Sequence, residues 1–230
     1  RSTLFPYTTL FRSPYSSLTW VKSSATVWLE DPDLGGWGAW AEIWTAQVGS
    51  SPTSMSVTAN PGTSQNGAFL TVLEYSGHAV ADPIGSFATG TRVNAADSAW
   101  SITLNAAPAS DSETVAILAL NNWAAQSTAD ITEASGWTEL FNNTPGEGPI
   151  GGETWGHTMV RAGSTSTTVG WDEVGSGGAS HPHTAAALEI IADGGGVDFS
   201  GTLAASAADL DGILSVIVGI SGAQIGRAHV

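Results

Sequence analysis

Turn-forming residues interrupt this chain about every ten positions, and that spacing constrains its fold more than any other feature. Between the clusters of Gly, Pro, Ser and Asn lie short runs rich in Val, Thr, Ile and Trp, which pack well on a pleated sheet. The pattern predicts an all-β chain that folds as an antiparallel, jelly-roll-like β-sandwich. The candidate strands are 18–22, 25–30, 39–48, 54–59, 68–75, 100–105, 113–121, 137–140, 154–161, 166–171 and 184–191.

Two apolar runs indicate how the sheets are built. The run TVAILAL at 114–120 is apolar without alternation, which predicts a central strand buried on both faces. The run AAALEII at 185–191 would suit a helix by propensity alone. Its similarity to the strand-like LTVLEY at 70–75 favours a strand instead.

Four blocks of sequence recur in the same order, at offsets between 112 and 117 residues. Repeats of this length are duplicated supersecondary units, so we expect two related halves, about 14–91 and 99–192. The second half begins with SETVAILALNN, which has no counterpart after Pro14, and we expect the matching strand of the first half to lie upstream. The matched blocks are 18–21 with 135–140, 40–50 with 155–164, 54–59 with 166–171, and 70–77 with 186–193.

The two ends read differently from the sequence between them. Residues 1–13 and 224–230 hold three of the five arginines and back-translate to the adapters of a common sequencing library. We therefore expect both segments to be non-native and the rest to be a fragment of a metagenomic gene. After a sandwich domain at 14–192, the sequence predicts a Gly-rich linker at 193–200 and a short C-terminal repeat segment, the start of a β-repeat spacer, at 201–223.

Charge and composition exclude several classes of partner. Without its two ends the chain keeps the basic residues Lys22, Arg92 and Arg161 against 21 acidic ones, a formal charge of 3 − 21 = −18. Such a surface repels phosphate backbones, so no nucleic-acid partner is expected. No apolar run reaches the roughly 18 residues of a membrane helix, so no membrane partner is expected either. The absence of cysteine excludes disulfides and thiol catalysis.

The strand sequences LTWV at 18–21, WAEIWTAQVGS at 40–50 and LEYSG at 73–77 carry a family resemblance. They resemble β-sandwich modules of bacteriophage tail and other virion proteins, which also occur in secreted bacterial surface proteins. The resemblance covers about 18–192. It implies a non-enzymatic structural or adhesive module that is tail-associated and lies in a virion or outside the cell. Its partners would be other virion proteins or host cell-surface glycans, and the module could also form oligomers. The alternative is an extracellular carbohydrate-binding module of a bacterial surface protein or glycoside-active enzyme.

Trp40, Glu42 and Trp44 form the first candidate binding site. They alternate along one predicted strand and therefore project to one face. The repeat places Trp155 and His157 on the corresponding face of its second copy. A stripe of indoles and a carboxylate could stack on a sugar ring and bind its hydroxyls. The other interpretation is that the tryptophans are core residues and Glu42 lies near a sheet edge.

Two further groups resemble metal ligands. Glu30, Asp31 and Asp33 precede a double Gly, and oxygen ligands in a Gly-rich loop suit calcium, although an acidic turn explains them equally well. His181 and His183 could share a face of an extended segment and bind a transition metal, or lie in an exposed turn before the strand. No cofactor other than this calcium ion is expected.

No sequence motif of a known catalytic site is present. The chain lacks G-x-S-x-G, a phosphate-binding Gly loop and H-E-x-x-H, so we expect no enzyme, with a hydrolase built on a carboxylate pair as a third alternative. Glu74 and Glu189 occupy equivalent positions in the repeat. A solvent-facing edge position or a hydrogen bond at the strand end explains them more simply than catalysis.

Overall fold

The computed structural model describes residues 21–23, 27–30, 38–48, 68–79, 81–94, 99–122, 131–143, 153–174, 181–194, 198–203 and 213–221. Every regular element in these ranges is a β-strand, as the turn spacing predicts. These residues include no helix that could cross a lipid bilayer. The segments 1–13, 54–59 and 224–230 lie outside the described residues. The strands are β1 (Val21–Lys22), β2 (Val27–Glu30), β3 (Gly38–Val48), β4 (Ala68–Ser76), β5 (Ile84–Asn94), β6 (Trp100–Thr103), β7 (Glu113–Asn122), β8 (Ile131–Glu133), β9 (Thr138–Asn143), β10 (Glu153–Ala162), β11 (Thr168–Val174), β12 (His181–Ile190), β13 (Asp198–Leu203) and β14 (Ile213–Ser221).

The strands form three sheets that pack as layers. The front sheet has the order β1-β3-β14-β4-β13, with β2 also paired to β3. The middle sheet has the order β5-β12-β7-β10-β9, and the back sheet has the order β6-β11-β8. One apolar core joins the front and middle sheets, and a second core joins the middle and back sheets. The middle sheet is therefore covered on both faces.

Strand β7 shows why its sequence is apolar without alternation. Val115 and Ile117 belong to the core shared with the front sheet, whereas Ala116 and Leu118 belong to the core shared with the back sheet. All four side chains are fully buried. Burying a Val, Leu or Ile side chain contributes about 1.5–3 kcal/mol, so both faces of this strand stabilise the fold. The prediction of a central strand buried on both faces is confirmed.

The run that begins at Ala185 is also a strand, as the repeat predicts. Strand β12 pairs antiparallel with β5 on one side and with β7 on the other, so its backbone groups are bonded without forming a helix. Ala186 faces the front core, and Ala185 and Ala187 face the back core. Tertiary pairing therefore overrides the helix propensity of alanine.

The front and middle sheets have the same plan. Strands β1, β3 and β4 take the places in the front sheet that β9, β10 and β12 take in the middle sheet. In each sheet one central strand separates the matched pair, and the flanking residues are offset by 115 in both cases. In the front sheet Ile43 and Thr71 pair with Val216 from its two sides, and in the middle sheet Thr158 and Ala186 pair with Ile117 in the same way. Thr158 is 115 residues after Ile43, and Ala186 is 115 residues after Thr71. The two halves inferred from sequence therefore form related sheets.

The two central strands run in opposite senses relative to their neighbours. Strand β7 is antiparallel to β10 and β12, but β14 is parallel to β3 and β4. The front sheet is thus mixed, although the sequence predicts antiparallel sheets. Strands β13 and β14 also lie within this sheet, so the segment expected to be a linker and a spacer supplies two of its strands. The apolar run ILSVIVGIS at 213–221 is long enough for a strand bonded on both sides.

The two halves exchange their edge strands. The chain that leaves β4 meets the chain that leaves β12, where Ala79 N–H donates to the carbonyl of Ile191 and Asp193 N–H donates to the carbonyl of Gly77, both at 2.8 Å. From this crossing the first half continues into β5 at the edge of the middle sheet, and the second half continues into β13 at the edge of the front sheet. Gly77 has a φ of 74°, a left-handed conformation that glycine adopts readily.

Candidate functional site

The first candidate site, at Trp40, Glu42 and Trp44, lies on β3. Because Ala41 and Ile43 face the middle sheet, these three residues point to the other side of the front sheet. Trp40 is 2% exposed and Glu42 is fully buried, while half-buried Trp44 donates its indole N–H to the Glu42 carboxylate at 3.0 Å. A sugar platform needs an exposed indole face, so this burial favours the interpretation of Trp40 as a core residue.

The second copy of the stripe lies in a different place. Trp155 pairs through its backbone with Leu120 in the middle sheet, and its side chain lies outside the described residues. His157 is fully buried on the face that the middle sheet turns towards the back sheet, together with Met159. Its side chain and that of Glu42 therefore lie in different layers, and the structure does not join them into one platform.

Of the candidate metal ligands, few fall on described side chains. Glu30 ends β2 opposite Gly38, and Asp31 and Asp33 lie outside the described residues, so the calcium site stays a prediction. His181 and His183 lie within β12, and His183 is fully buried in a T-shaped contact with Trp100, with ring centroids 6.2 Å apart. The expectation of an exposed turn at this point is wrong, because the strand begins earlier and pairs with β5 from His181 onwards.

A polar cluster is centred on His157. Its Nε2 lies 3.3 Å from a carboxylate oxygen of Glu139 and 3.9 Å from one of Glu133, and the donor atoms of the three side chains all lie within 4.8 Å of one another. The two carboxylates are partly exposed, at 31% and 41%, whereas the imidazole is not. Asn142 holds the cluster from the side by donating to the Glu139 carboxylate at 2.9 Å and to the carbonyl of Ile131 at 3.1 Å.

Trp171 determines which nitrogen of His157 carries the proton. Its indole N–H lies 3.2 Å from His157 Nδ1, and an indole N–H can only donate. Nδ1 therefore accepts, and the neutral ring carries its hydrogen on Nε2, directed at the carboxylates. That N–H has no acceptor in hydrogen-bond geometry among the described residues. Burial lowers the pKa of His157 below its ordinary value of 6.5, although the charges of Glu139 and Glu133 act in the opposite direction.

This tautomer limits the chemistry of the cluster. A metal ion at Nε2 would need a lone pair there and a proton on Nδ1, which would then face the Trp171 N–H, donor against donor. The three residues thus have a donor set that suits a metal but a hydrogen-bonding arrangement that opposes one. A hydroxyl group or water fits better, because it can accept from Nε2–H and donate to Glu133 or Glu139.

Glu189 is a second polar centre, and its role is structural. One carboxylate oxygen accepts from the backbone N–H of Ser86 and the other from that of Ala109, both at 2.8 Å. Burial by itself raises the pKa of Glu189, but these hydrogen bonds together outweigh it and hold the pKa below its ordinary value. The carboxylate thus links β12 to β5 and to the loop before β7. The interpretation of Glu189 as a strand-end hydrogen-bonding residue is confirmed.

Sequence reasoning missed Glu133 and Glu139 as partners of His157. They lie on β8 and β9, two strands joined by a tight connection in which Trp137 N–H donates to the Ala134 carbonyl at 3.2 Å. The signal in the sequence is the pair of acids six residues apart around SGW, where Gly136 has a φ of 88°. The pairings of β9 with β10 and of β8 with β11 bring this connection to His157.

These features define an all-β protein of layered sheets, with a partly exposed polar cluster at His157 and a buried carboxylate at Glu189. No protein-family model matches the chain, and no curated protein or solved structure is significantly similar to it.

Proposed function

We propose that the chain is a non-enzymatic structural or adhesive β-sandwich module of a phage virion, associated with the tail. The observation that carries the proposal is the reciprocal exchange of β5 and β13 between the two halves. Each half contributes the edge strand of the other half's sheet, so tension applied between the halves acts on two strand pairings at once. A module that transmits force between other proteins benefits from such interlocking.

The use of the polar groups supports the same proposal. Both oxygens of the Glu189 carboxylate are bonded to backbone amides, and His157 Nδ1 is bonded to Trp171. Groups that could act as an acid, a base or a nucleophile are thus engaged in holding strands together. The acidic composition, with 21 acids against six basic residues, suits a protein that remains apart from nucleic acid.

Single-molecule stretching of the full chain between its ends tests this function. Interlocked halves should unfold in one event that releases about 70 nm for some 200 residues, at roughly 3.5 Å each. Replacing Ala79 by proline removes the amide that donates to Ile191 and should lower the unfolding force, whereas Ala79→Gly keeps the amide and serves as the control. Two separate events of about half that length would contradict the proposal.

A second candidate function, carbohydrate binding, is favoured by the cluster at His157. The Nε2–H of His157 faces two partly exposed carboxylates at 3.3 and 3.9 Å, and a sugar hydroxyl can both accept and donate a hydrogen bond there. For this candidate function we propose a sugar contact at Glu133 and Glu139 instead of Trp40.

A glycan array with the full chain distinguishes the two functions. Sugar binding at the cluster should be selective, and Glu139→Gln should weaken it by about tenfold or more, since a hydrogen bond to a charged group contributes about 1.5–3 kcal/mol. Asp172→Asn on the exposed side of β11 is the matched control and should leave binding unchanged. An array without any bound glycan, or equal losses in both variants, would remove carbohydrate binding and leave the structural function.

A further inference from the structure

The slot between β3 and β4 has the shape of the slot that β7 fills. In both sheets the strands on either side of the central strand are parallel to each other, because both pair with it in the same sense. Their relative register is also the same, since a shift of 115 converts the residues that flank β14 into those that flank β7. Glu42 and Leu70 flank Ser215 as His157 and Ala185 flank Leu118.

The residues that flank this slot are buried on both faces of the front sheet. Ile43 and Thr71, which flank one residue of β14, are fully buried, and Ile43 lies in the core shared with the middle sheet. On the opposite face, Glu42 is fully buried and Val72 is 8% exposed. A strand in this slot therefore lies between buried residues on both of its faces, as β7 does, and an apolar strand such as β7 suits it.

The direction of the central strand differs between the two slots. Strand β14 is parallel to both neighbours, and parallel pairing is slightly less stable per residue than antiparallel pairing. A strand with the pattern of β7 could make antiparallel ladders in the same slot, on the same flanking residues. Per residue, the antiparallel pairing of such a strand would be slightly more stable than the parallel pairing of β14.

We propose that the front sheet is a strand-exchange interface, in which an extended segment of a partner protein, apolar on both faces like β7, pairs antiparallel with β3 and β4 and replaces β14. Addition of an extended strand to a sheet gains affinity from backbone hydrogen bonds and specificity from alternate side-chain pockets. The interface joins this module to the protein that donates the strand. It goes beyond the proposed role of the module and does not depend on glycan binding.

The probe is a synthetic peptide with the sequence SETVAILALNN, residues 112–122, added to the full chain. Replacing Val216 by proline weakens β14, because proline removes a ladder hydrogen bond from a strand that pairs on both sides. At a concentration about 100-fold above its Kd, the peptide should raise the Tm of the V216P chain by on the order of 5 °C. A peptide of the same residues in shuffled order is the control.

Cross-linking reads the direction of the bound strand, and the absence of native cysteine makes the reaction selective. In the middle sheet Glu113 pairs with Ala162, whose equivalent in the repeat is Gln47. A peptide with Cys in place of Glu113 should therefore form a disulfide with Gln47→Cys and none with Gly38→Cys, at the other end of β3. Both variants are made in the V216P chain.

Each outcome decides the proposal. A disulfide at position 47 together with a higher Tm supports it, as does peptide-dependent refolding if the V216P chain is unfolded alone. A disulfide at position 38 overturns it, because the strand would then run parallel. An equal effect of the shuffled peptide, no effect of either peptide, or failure to refold with the peptide present also overturns it.

Discussion

The Glu189 carboxylate should contribute more to stability than any exposed acid of the chain, and replacing it by glutamine tests this. Glu189 is 4% exposed and accepts two backbone amides, from Ser86 and Ala109. A glutamine of the same shape can accept only one, and its NH2 group then faces the other amide. Since a hydrogen bond to a charged group contributes about 1.5–3 kcal/mol, E189Q should lose about 3 kcal/mol at pH 7. For a chain of this size that corresponds to a fall in Tm of about 6–12 °C.

The pH dependence distinguishes this mechanism from a packing defect. The folded-state pKa of Glu189 is held below its ordinary value of 4.5, so the unfolded chain binds the proton first. The stabilisation is complete above pH 4.5 and is lost as the pH falls through the folded-state pKa. Urea unfolding at pH 7 and near pH 3 should therefore show a difference between wild type and E189Q that narrows in acid. Asp172→Asn, at an exposed site, should change stability by less than about 0.5 kcal/mol. An equal loss for E189Q at both pH values would refute the reasoning.

Three further predictions concern other contacts of the middle sheet. The wild-type free energy of unfolding should fall as the pH drops below 6.5 towards the lowered folded-state pKa of His157, because His157 is protonated there only in the unfolded chain. In urea unfolding, His157→Asn should remove this dependence of stability on pH. An unchanged dependence in the variant would contradict the prediction. Arg161→Lys should lower the free energy of unfolding by about 1–2 kcal/mol in thermal unfolding. The guanidinium lies 4.3 Å from the centre of the Trp137 ring and also donates hydrogen bonds to two carbonyls. A change below about 0.3 kcal/mol, which is on the order of experimental error, would contradict the prediction. Gly85→Ala should cost about 2 kcal/mol or more, because its Cβ would collide with the Glu189 carboxylate, and combining it with E189Q should add less than the sum.

The parts of the fold that are visible in the sequence are those with a strong pattern. Strand β7 is apolar at every position between 115 and 120, and β12 shares its LEI with the LEY of β4, so both could be predicted. The same similarity predicts the offset of about 115 residues that relates the strands of the two halves. Strand β5 is not predicted from the sequence, because Gly85 and Gly90 interrupt it and two of its larger apolar side chains, Phe87 and Val93, are each 43% exposed.

Other properties depend on pairings that no local pattern encodes. The side chains of Trp40 and Glu42 were placed correctly on one face, but their burial follows from how the layers stack. The cluster at His157 needs three strands to come together, and two of its members lie on the short strands that flank a tight connection. The direction of β14 relative to β3 and β4 cannot be predicted from the sequence either, because an apolar run can pair in parallel or antiparallel orientation.

The crossing at Gly77 and Asp193 has an evolutionary consequence. If one ancestral unit of the repeat existed as a separate chain, its own trailing strand could not complete its own sheet in this arrangement. Two identical chains would each lend that strand to the other, and the crossing would become the axis of a closed two-fold homodimer. On this hypothesis, gene duplication would have fused the two subunits into one polypeptide, and each half would still depend on the other for the edge strand of its sheet.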